Sequence, residues 1–178
     1  MVKLSLVQLS DSGKDLWNDY VSANPHAYVY HLWELGDALS RTYNLWRWYF
    51  AVKEDQRIVG VLPTFYIRSL FFADKMISLP FCEYGGPLVA DCSDQSVAEN
   101  VFVMLMKRVH ELARKLRIDY IELRRPSCLL STFVSSAGFR VLRRYVTFRV
   151  DLTARESEVW KNFDGRTRRH VKKAMRAG

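Results

Sequence analysis

The sequence lacks the signatures by which several classes of protein are recognised. Its three cysteines (Cys82, Cys92 and Cys128) are an odd number without C-x-x-C spacing, so they indicate neither a disulfide framework nor a zinc site. There is no P-loop, no G-x-G-x-x-G and no G-x-S-x-G. The four histidines are scattered without metal-ligand spacing. We therefore predict no metal site and assign no catalytic residue.

Long hydrophobic runs are also absent. No stretch approaches the roughly 18 apolar residues of a membrane span. The N-terminus lacks the long apolar core and cleavage site of a signal peptide. Reduced thiols fit the same picture. We expect a soluble, cytoplasmic protein whose 178 residues, 49% of them hydrophobic, form one domain with a substantial core.

Charge is distributed unevenly along the chain. Residues 1–100 hold 8 Lys/Arg and 12 Asp/Glu, whereas residues 101–178 hold 19 and 7. From Asp164 onward the chain has six basic residues and one acid. This asymmetry suggests that the second half faces phosphate, nucleic acid or an anionic surface. A basic surface that is merely solvated is the alternative.

Hydrophobic periodicity predicts the order β-α-α-β-β-β-α-β-α-β-α, a mixed α/β (α+β) domain with a largely antiparallel sheet flanked by helices. The first helix is expected to bury Leu16, Tyr20 and Val21. His31 is expected to pack or cap rather than to catalyse. The expected strands are 4–9, 45–53, 57–68, 75–79, 118–123 and 139–152, and the later helices are 30–42, 96–116, 129–137 and the basic C-terminal helix.

The turn Glu83-Tyr84-Gly85-Gly86-Pro87 is the first candidate site. Paired glycines permit positive φ and let a ligand approach the backbone closely. Tyr84 can stack or donate a hydrogen bond, and Glu83 can accept a proton or pair with an ammonium group. The alternative is a tight turn that ends a strand and leaves one acid exposed.

The C-terminal basic helix is the second candidate site. Arg168, Lys172 and Arg176 are spaced at i, i+4 and i+8, and Arg169 and Lys173 form an adjoining row. Like charges at this spacing destabilise a helix by a few tenths of a kcal/mol each, so an anionic partner is expected to offset them. One apolar stripe is predicted to run along the helix through Trp160, Phe163, Thr167, Val171 and Ala174.

Two segments resemble FemAB-type aminoacyltransferases. One is the basic segment from Trp160 to Gly178, and the other is SLPFCEYGGPL at residues 78–88. The resemblance implies a GNAT-like fold, built twice in a full-length enzyme that transfers an amino acid from aminoacyl-tRNA to an amine of a peptidoglycan precursor. It implies a GNAT-like domain at 1–153 and, at 154–178, a helix that would join to a second, absent GNAT-like domain. The isolated chain is then expected to be inactive.

The same resemblance implies the partners. They are a cell-envelope precursor or another phosphate-bearing small molecule, with tRNA as a further candidate. No cofactor is predicted, aminoacyl-tRNA is the candidate donor, and acetyl-CoA ranks below it. One departure is that no basic residue follows Trp33 before Arg41, where peptidoglycan-bridge enzymes hold the acceptor phosphate. The substrate- and anion-binding candidates are Arg168, Lys172, Arg176, Arg169, Lys173, Tyr84, Gly85, Gly86 and Glu83.

Two alternatives stay open. A CoA-dependent GNAT N-acyltransferase ranks lower because no Q/R-x-x-G-x-G/A string, which cradles the CoA pyrophosphate at a helix N-terminus, lies between Leu79 and Ser96. A non-catalytic RNA- or anion-binding module would use the basic second half of the chain.

Overall fold

The computed structural model describes residues 3–69, 73–89, 95–124, 134, 137–142, 146–147 and 150–178. The chain divides into two compact units, residues 1–142 and residues 143–178.

The first unit is built on a six-stranded sheet. In space the strands follow the order β1-β2-β3-β4-β6, and the short β5 pairs with β3. Among the described residues every pairing is antiparallel except that of β4 with β6, which is parallel. The prediction of a mixed α/β domain with a largely antiparallel sheet is confirmed. The strands are β1 (Leu4–Leu9), β2 (Trp46–Glu54), β3 (Arg57–Ile67), β4 (Lys75–Ile77), β5 (Leu88–Val89) and β6 (Tyr120–Glu122).

Helices cover both faces of this sheet, because alternate strand residues point to opposite faces. Trp17 and Trp33, from α1 (Lys14–Ala23) and α2 (Trp33–Tyr43), pack with the Tyr49–Ala51–Val61 side of the strands. The apolar stripe of α3 (Gln95–Leu116) packs with Phe50, Val52 and Leu62 on the other side. Both faces of the central strands β2 and β3 are therefore buried.

The first helices differ from the sequence prediction in two details. Leu16 is 37% exposed, and the buried residues of α1 are Trp17 and Val21. The indole Nε1–H of Trp17 donates to the carbonyl oxygen of His31 at 2.7 Å, so the largest side chain takes the inward position. The second helix starts at Trp33 rather than Tyr30, because a short 3-10 turn at Val29–His31 is followed by Leu32 in an extended conformation.

The region after β6 also departs from the prediction. Most of the expected helix 129–137 lies outside the described residues, although Val134 is helical and buried. The amide of Phe139 donates to the carbonyl oxygen of Val134, and Gly138 has a φ of +81°. Within the expected strand 139–152, the residues that the structure describes belong to no strand.

The described part of the second unit contains the helices α4 (Glu156–Asn162) and α5 (Gly165–Ala177). Phe163 and Asp164 between them have extended backbone, and Asp164 caps α5 by accepting the Thr167 amide hydrogen bond at 2.6 Å. The prediction of one stripe from Trp160 to Ala174 is therefore wrong: the stripe is divided between two helices. No helix among the described residues of either unit is long and apolar enough to cross a bilayer.

Candidate active site

A ten-residue loop interrupts the strand pairing along one side of β3. Strands β4 and β5 both pair with β3, through Phe65↔Ile77 and Val61↔Leu88. Residues 78–87, here called the excursion loop, therefore lie opposite only residues 62–64 of β3. The middle one is Pro63, and proline within sheets is confined to edges and bulges because it has no N–H. The excursion loop therefore interrupts the strand pairing opposite a residue that has no N–H to donate.

The excursion loop is packed rather than loose. Seven of its ten residues are buried, and Phe81, Cys82 and Glu83 are the ones that reach solvent. Gly85 has a φ of +120°, and a β-carbon placed there would lie 2.6 Å from the β-carbon of Leu79. Only glycine fits this position. The paired glycines were expected to let a ligand approach the backbone closely, and at Gly85 it is the side chain of Leu79 that makes this approach.

His31, from the connection between α1 and α2, fastens that connection to the excursion loop. Its side chain is 5% exposed. Nδ1 accepts a hydrogen bond from the Tyr28 amide at 3.1 Å, so Nε2 carries the proton and donates to the Gly86 carbonyl oxygen at 3.2 Å. Burial lowers the pKa of His31. Because the backbone occupies both ring nitrogens, His31 acts as a positioning residue and is not a free base.

Tyrosines from the same connection pack on the loop. Tyr84 is buried, and its ring is stacked on Tyr28 with 4.2 Å between centroids and 7° between planes. The ring of Tyr30 lies 6.0 Å from that of Tyr84. Of the predicted turn residues, Tyr84, Gly85 and Gly86 therefore make internal contacts, and Glu83 is the one that is exposed.

Glu83 and Tyr30 form the polar part of the loop surface. The negative charge of Glu83 is the main cause that raises the pKa of the Tyr30 phenol. Burial, and then Glu83, raise the pKa of the Cys82 thiol, against the opposing charge of Arg124. Cys82 is therefore held as a neutral thiol and is poorly suited to act as a nucleophile. Sequence reasoning missed Tyr30, and no motif marks it.

Ser78, the first residue of the excursion loop, extends the contact of β4 with β6. Its N–H donates to the Glu122 carbonyl oxygen at 3.0 Å, and its Oγ accepts a hydrogen bond from the Arg124 N–H at 2.9 Å. Beyond Ser78 the chain enters the excursion loop and returns to β3 as β5.

Two buried polar atoms next to Ser78 have no hydrogen-bond partner among the described residues. One is the hydroxyl oxygen of Thr64, whose side chain is 2% exposed, and the other is Nε of Arg124. Thr64 precedes Phe65, the partner of Ile77, and so lies beside Ser78, whose Oγ accepts from the Arg124 N–H. A buried polar group without a partner is costly, so a ligand that supplies acceptor oxygens would be stabilised here. Neither residue was predicted; the signal for Thr64 is a threonine in a strand that is otherwise mostly apolar.

The basic residues proposed from the sequence all lie on α5 in the second unit. Arg168 is half-buried, and Arg169, Lys172, Lys173 and Arg176 are exposed. Their role in anion binding stays a prediction.

The described residues also line two concavities that include no residue of the excursion loop. One, of about 480 Å³, is lined by charges that pair with residues on or near its own wall, such as Lys14 with Glu34 and Asp37 with Arg41. The other, of about 780 Å³, lies at the C-terminal end of α3. No group of three His, Cys, Asp or Glu in the described part of the chain is arranged to hold a metal ion.

Comparison with known proteins identifies the fold. No protein-family model and no curated protein sequence matches the chain. Solved structures do match, among them AAC(6')-Iy in complex with a bisubstrate analogue of CoA, at 14% identity and a TM-score of 0.51 over 83% of this chain and 97% of that one. A predicted acetyltransferase from Clostridium acetobutylicum, with acetyl-CoA, matches at 12% identity and a TM-score of 0.53, covering 83% of this chain and 97% of that one.

A third structure, the apo aminoglycoside 6'-N-acetyltransferase AAC(6')-IG from Acinetobacter haemolyticus, matches at 12% identity and a TM-score of 0.52, covering 83% of this chain and 99% of that one. The first unit therefore has the GNAT acetyltransferase fold. At these identities the likeness concerns the fold, and the narrower resemblance to FemAB-type enzymes stays a prediction.

The cofactor prediction is corrected by the same comparison. From the sequence, no cofactor is predicted and acetyl-CoA ranks below aminoacyl-tRNA, because no glycine string lies between Leu79 and Ser96. Structures of this fold were nevertheless crystallised with CoA or acetyl-CoA. The absence of one motif was therefore weighted too heavily against acyl-CoA.

Proposed function

We propose that the first unit is an N-acyltransferase that uses an acyl-CoA thioester as donor and an amine as acceptor. The observation that carries the proposal is the pair of buried polar atoms without a described partner, Thr64 Oγ1 and Arg124 Nε, on two residues that adjoin Ser78 at the start of the excursion loop. The solved structures of the same fold that contain CoA or acetyl-CoA support this choice of donor.

The residues present fit the acyl end of such a donor. Thr64, Arg124 and the backbone of the excursion loop would hold the acyl-pantetheine arm, whose amide and thioester oxygens accept hydrogen bonds. When bound, acyl-CoA supplies an acyl carbon that is already activated toward an amine. The excursion loop then contributes mainly position, since holding the reacting groups together accounts for much of catalysis in such reactions.

Glu83 and Tyr30 are suited to the acceptor. A primary amine arrives as an ammonium ion, and the exposed carboxylate of Glu83 attracts it and can take the proton that the nitrogen must lose. The raised pKa of Tyr30 keeps its phenol protonated at neutral pH, so its hydroxyl remains a hydrogen-bond donor.

Calorimetry with acetyl-CoA tests the donor site. The protein should bind it, and Thr64→Val should weaken binding about tenfold or more, because one orphaned hydroxyl is lost. The same variant should fold at least as stably as the parent, since it removes a buried unpaired hydroxyl. Thr42→Val, an exposed threonine on α2, is the matched control and should bind normally. Absence of heat from acetyl-CoA with the parent protein would refute the proposal.

A finer hypothesis concerns the acceptor. It holds that the chain is the N-terminal GNAT-like half of a FemAB-type enzyme, completed by a second GNAT-like domain, and that the acceptor is a phosphate-bearing cell-envelope precursor. The observation that favours it is the exposed row of bases on α5, in which no acid follows Asp164. Arginine and lysine side chains of this kind suit phosphate.

Charge reversal separates this hypothesis from RNA binding. The triple variant with Glu at 168, 172 and 176 should lose salt-sensitive binding of a nucleotide-linked peptidoglycan precursor. A triple reversal on α3, at Lys107, Arg114 and Lys115, changes the net charge equally and should not. If the α5 variant loses tRNA binding instead, the helix belongs to an RNA-binding module. Equal binding of the precursor by both variants would refute the role of α5.

A further inference from the structure

The tip of the excursion loop carries a residue that the fold itself does not explain. Phe81 has a φ of +62°, in the left-handed region that residues other than Gly, Asn and Asp avoid. Its side chain is also 64% exposed. A large aromatic residue that is both strained and exposed gains little from burial. Backbone strain at such a position is typical of sites where the side chain serves a ligand.

A second exposed ring lies against Phe81. Tyr43, the last residue of α2, is 54% exposed, and its ring centroid is 4.6 Å from that of Phe81 with 38° between the planes. The two rings, here called the Phe81–Tyr43 platform, form an apolar patch. Along the chain the platform is one residue away from half-buried Cys82 and two away from the exposed carboxylate of Glu83.

We propose that the Phe81–Tyr43 platform holds the ring of an acceptor whose ammonium group is bound by Glu83. The acceptor is therefore a primary amine carried on a ring with an apolar face. An amino sugar and an aromatic amine share this chemistry, because both offer a flat CH or π surface that packs on aromatic rings. This inference rests on the proposed function, since it names the acceptor class of the same site.

The arrangement favours a small cationic ligand over a protein partner. Two rings cover far less than the several hundred Å² of apolar surface that marks a protein interface. The acid two residues from Phe81 complements a positive charge, and the carboxylate of Glu83 is exposed. A ligand with one positive end and one apolar ring matches both parts of the surface.

Titrations followed by NMR test the inference, with 2-phenylethylamine, glucosamine and n-propylamine as probes. At least one of the two ring amines should bind at least fivefold more tightly than propylamine. Preference for glucosamine identifies an amino sugar, and preference for 2-phenylethylamine identifies an aromatic amine. Glu83→Gln should weaken all three probes by a similar factor. Equal affinity for all three in the parent protein would overturn the inference.

Two glycine substitutions separate strain from recognition. Phe81→Gly and Arg117→Gly each replace an exposed residue with positive φ, at +62° and +55°. Both should raise the melting temperature, because glycine adopts this backbone readily. Only Phe81→Gly should abolish the preference for the ring amine, since Arg117 directly follows the last residue of α3. If Phe81→Gly keeps that preference, the platform is not the binding surface.

These titrations contain no acyl-CoA. Ring-amine selectivity without any heat from acetyl-CoA would therefore sustain the platform and refute the donor, and the reverse result would refute the platform alone.

Discussion

Replacing His31 should change how the stability of the first unit depends on pH. The neutral ring links the Tyr28 amide to the Gly86 carbonyl oxygen, and burial lowers its pKa below the usual 6.5. The unfolded chain then binds a proton more readily than the folded one. Stability is consequently complete above about pH 6.5 and falls as the pH drops through the interval between 6.5 and the lower folded-state pKa.

The magnitude follows from the same contacts. Within that interval the loss has a limiting slope of about 1.4 kcal/mol per pH unit. Glutamine also offers one acceptor and one donor but does not titrate, so His31→Gln should lose this slope. His31→Ala leaves the buried Gly86 carbonyl oxygen without this partner, and should be destabilised by about 1–3 kcal/mol at pH 8.

Urea denaturation at pH 8, 7, 6 and 5 measures the effect. Near-ultraviolet circular dichroism is a suitable signal, because the buried indole of Trp17 donates to the His31 carbonyl oxygen. Other titrating groups are common to both proteins, so their contributions cancel in the difference between the two free energies of unfolding. A stability difference between the parent and His31→Gln that stays constant from pH 8 to pH 5 would refute the argument.

Three further predictions can be tested by substitution. Gly85→Ala should lower the free energy of unfolding by about 2–5 kcal/mol, whereas Gly138→Ala, which has positive φ but open space around it, should lose about 1–2 kcal/mol; equal losses would contradict the steric argument. A β-carbon at Gly36 would clash with the Tyr49 hydroxyl, so Tyr49→Phe should restore part of the stability that Gly36→Ala loses. A double-mutant cycle that shows no coupling between the two positions would count against that contact. Asp164→Ala should speed amide hydrogen exchange in the first turn of α5, because the Thr167 amide loses its acceptor. The parent should show the same effect only in strong acid, since the pKa of the Asp164 carboxyl is lowered. Unchanged exchange in the variant would exclude the cap.

The sequence analysis succeeded where structure is decided locally. The hairpin of β2 and β3 and the long helix α3 follow from strand composition and from an apolar stripe over many turns. Pairings between distant segments have no such signal. The return of β5 to β3 and the parallel contact of β4 with β6 depend on where the excursion loop leaves the sheet, which periodicity does not show.

The candidate site was predicted in part. Residues 83–86 do lie at the excursion loop, but positive φ at Gly85 serves the packing of Leu79, and Tyr84 stacks on Tyr28. The sequence could not show this, because a glycine needed for packing and one needed for a ligand look alike. Phe81 was not predicted, because phenylalanine disfavours positive φ and nothing in the sequence indicates that this residue adopts it.

The double attachment of the excursion loop to β3 fixes both ends of the loop. Leu88 is held opposite Val61 and Val89 opposite Gly60, so Leu88 packs with Trp17 on one side of the sheet and Val89 packs with Phe102 on the other. This facing is set by the pairing with β3 and not by the number of residues in the loop. An insertion beside the exposed Phe81 should therefore leave both side chains in place, whereas a slip of β5 by one residue against β3 would exchange them.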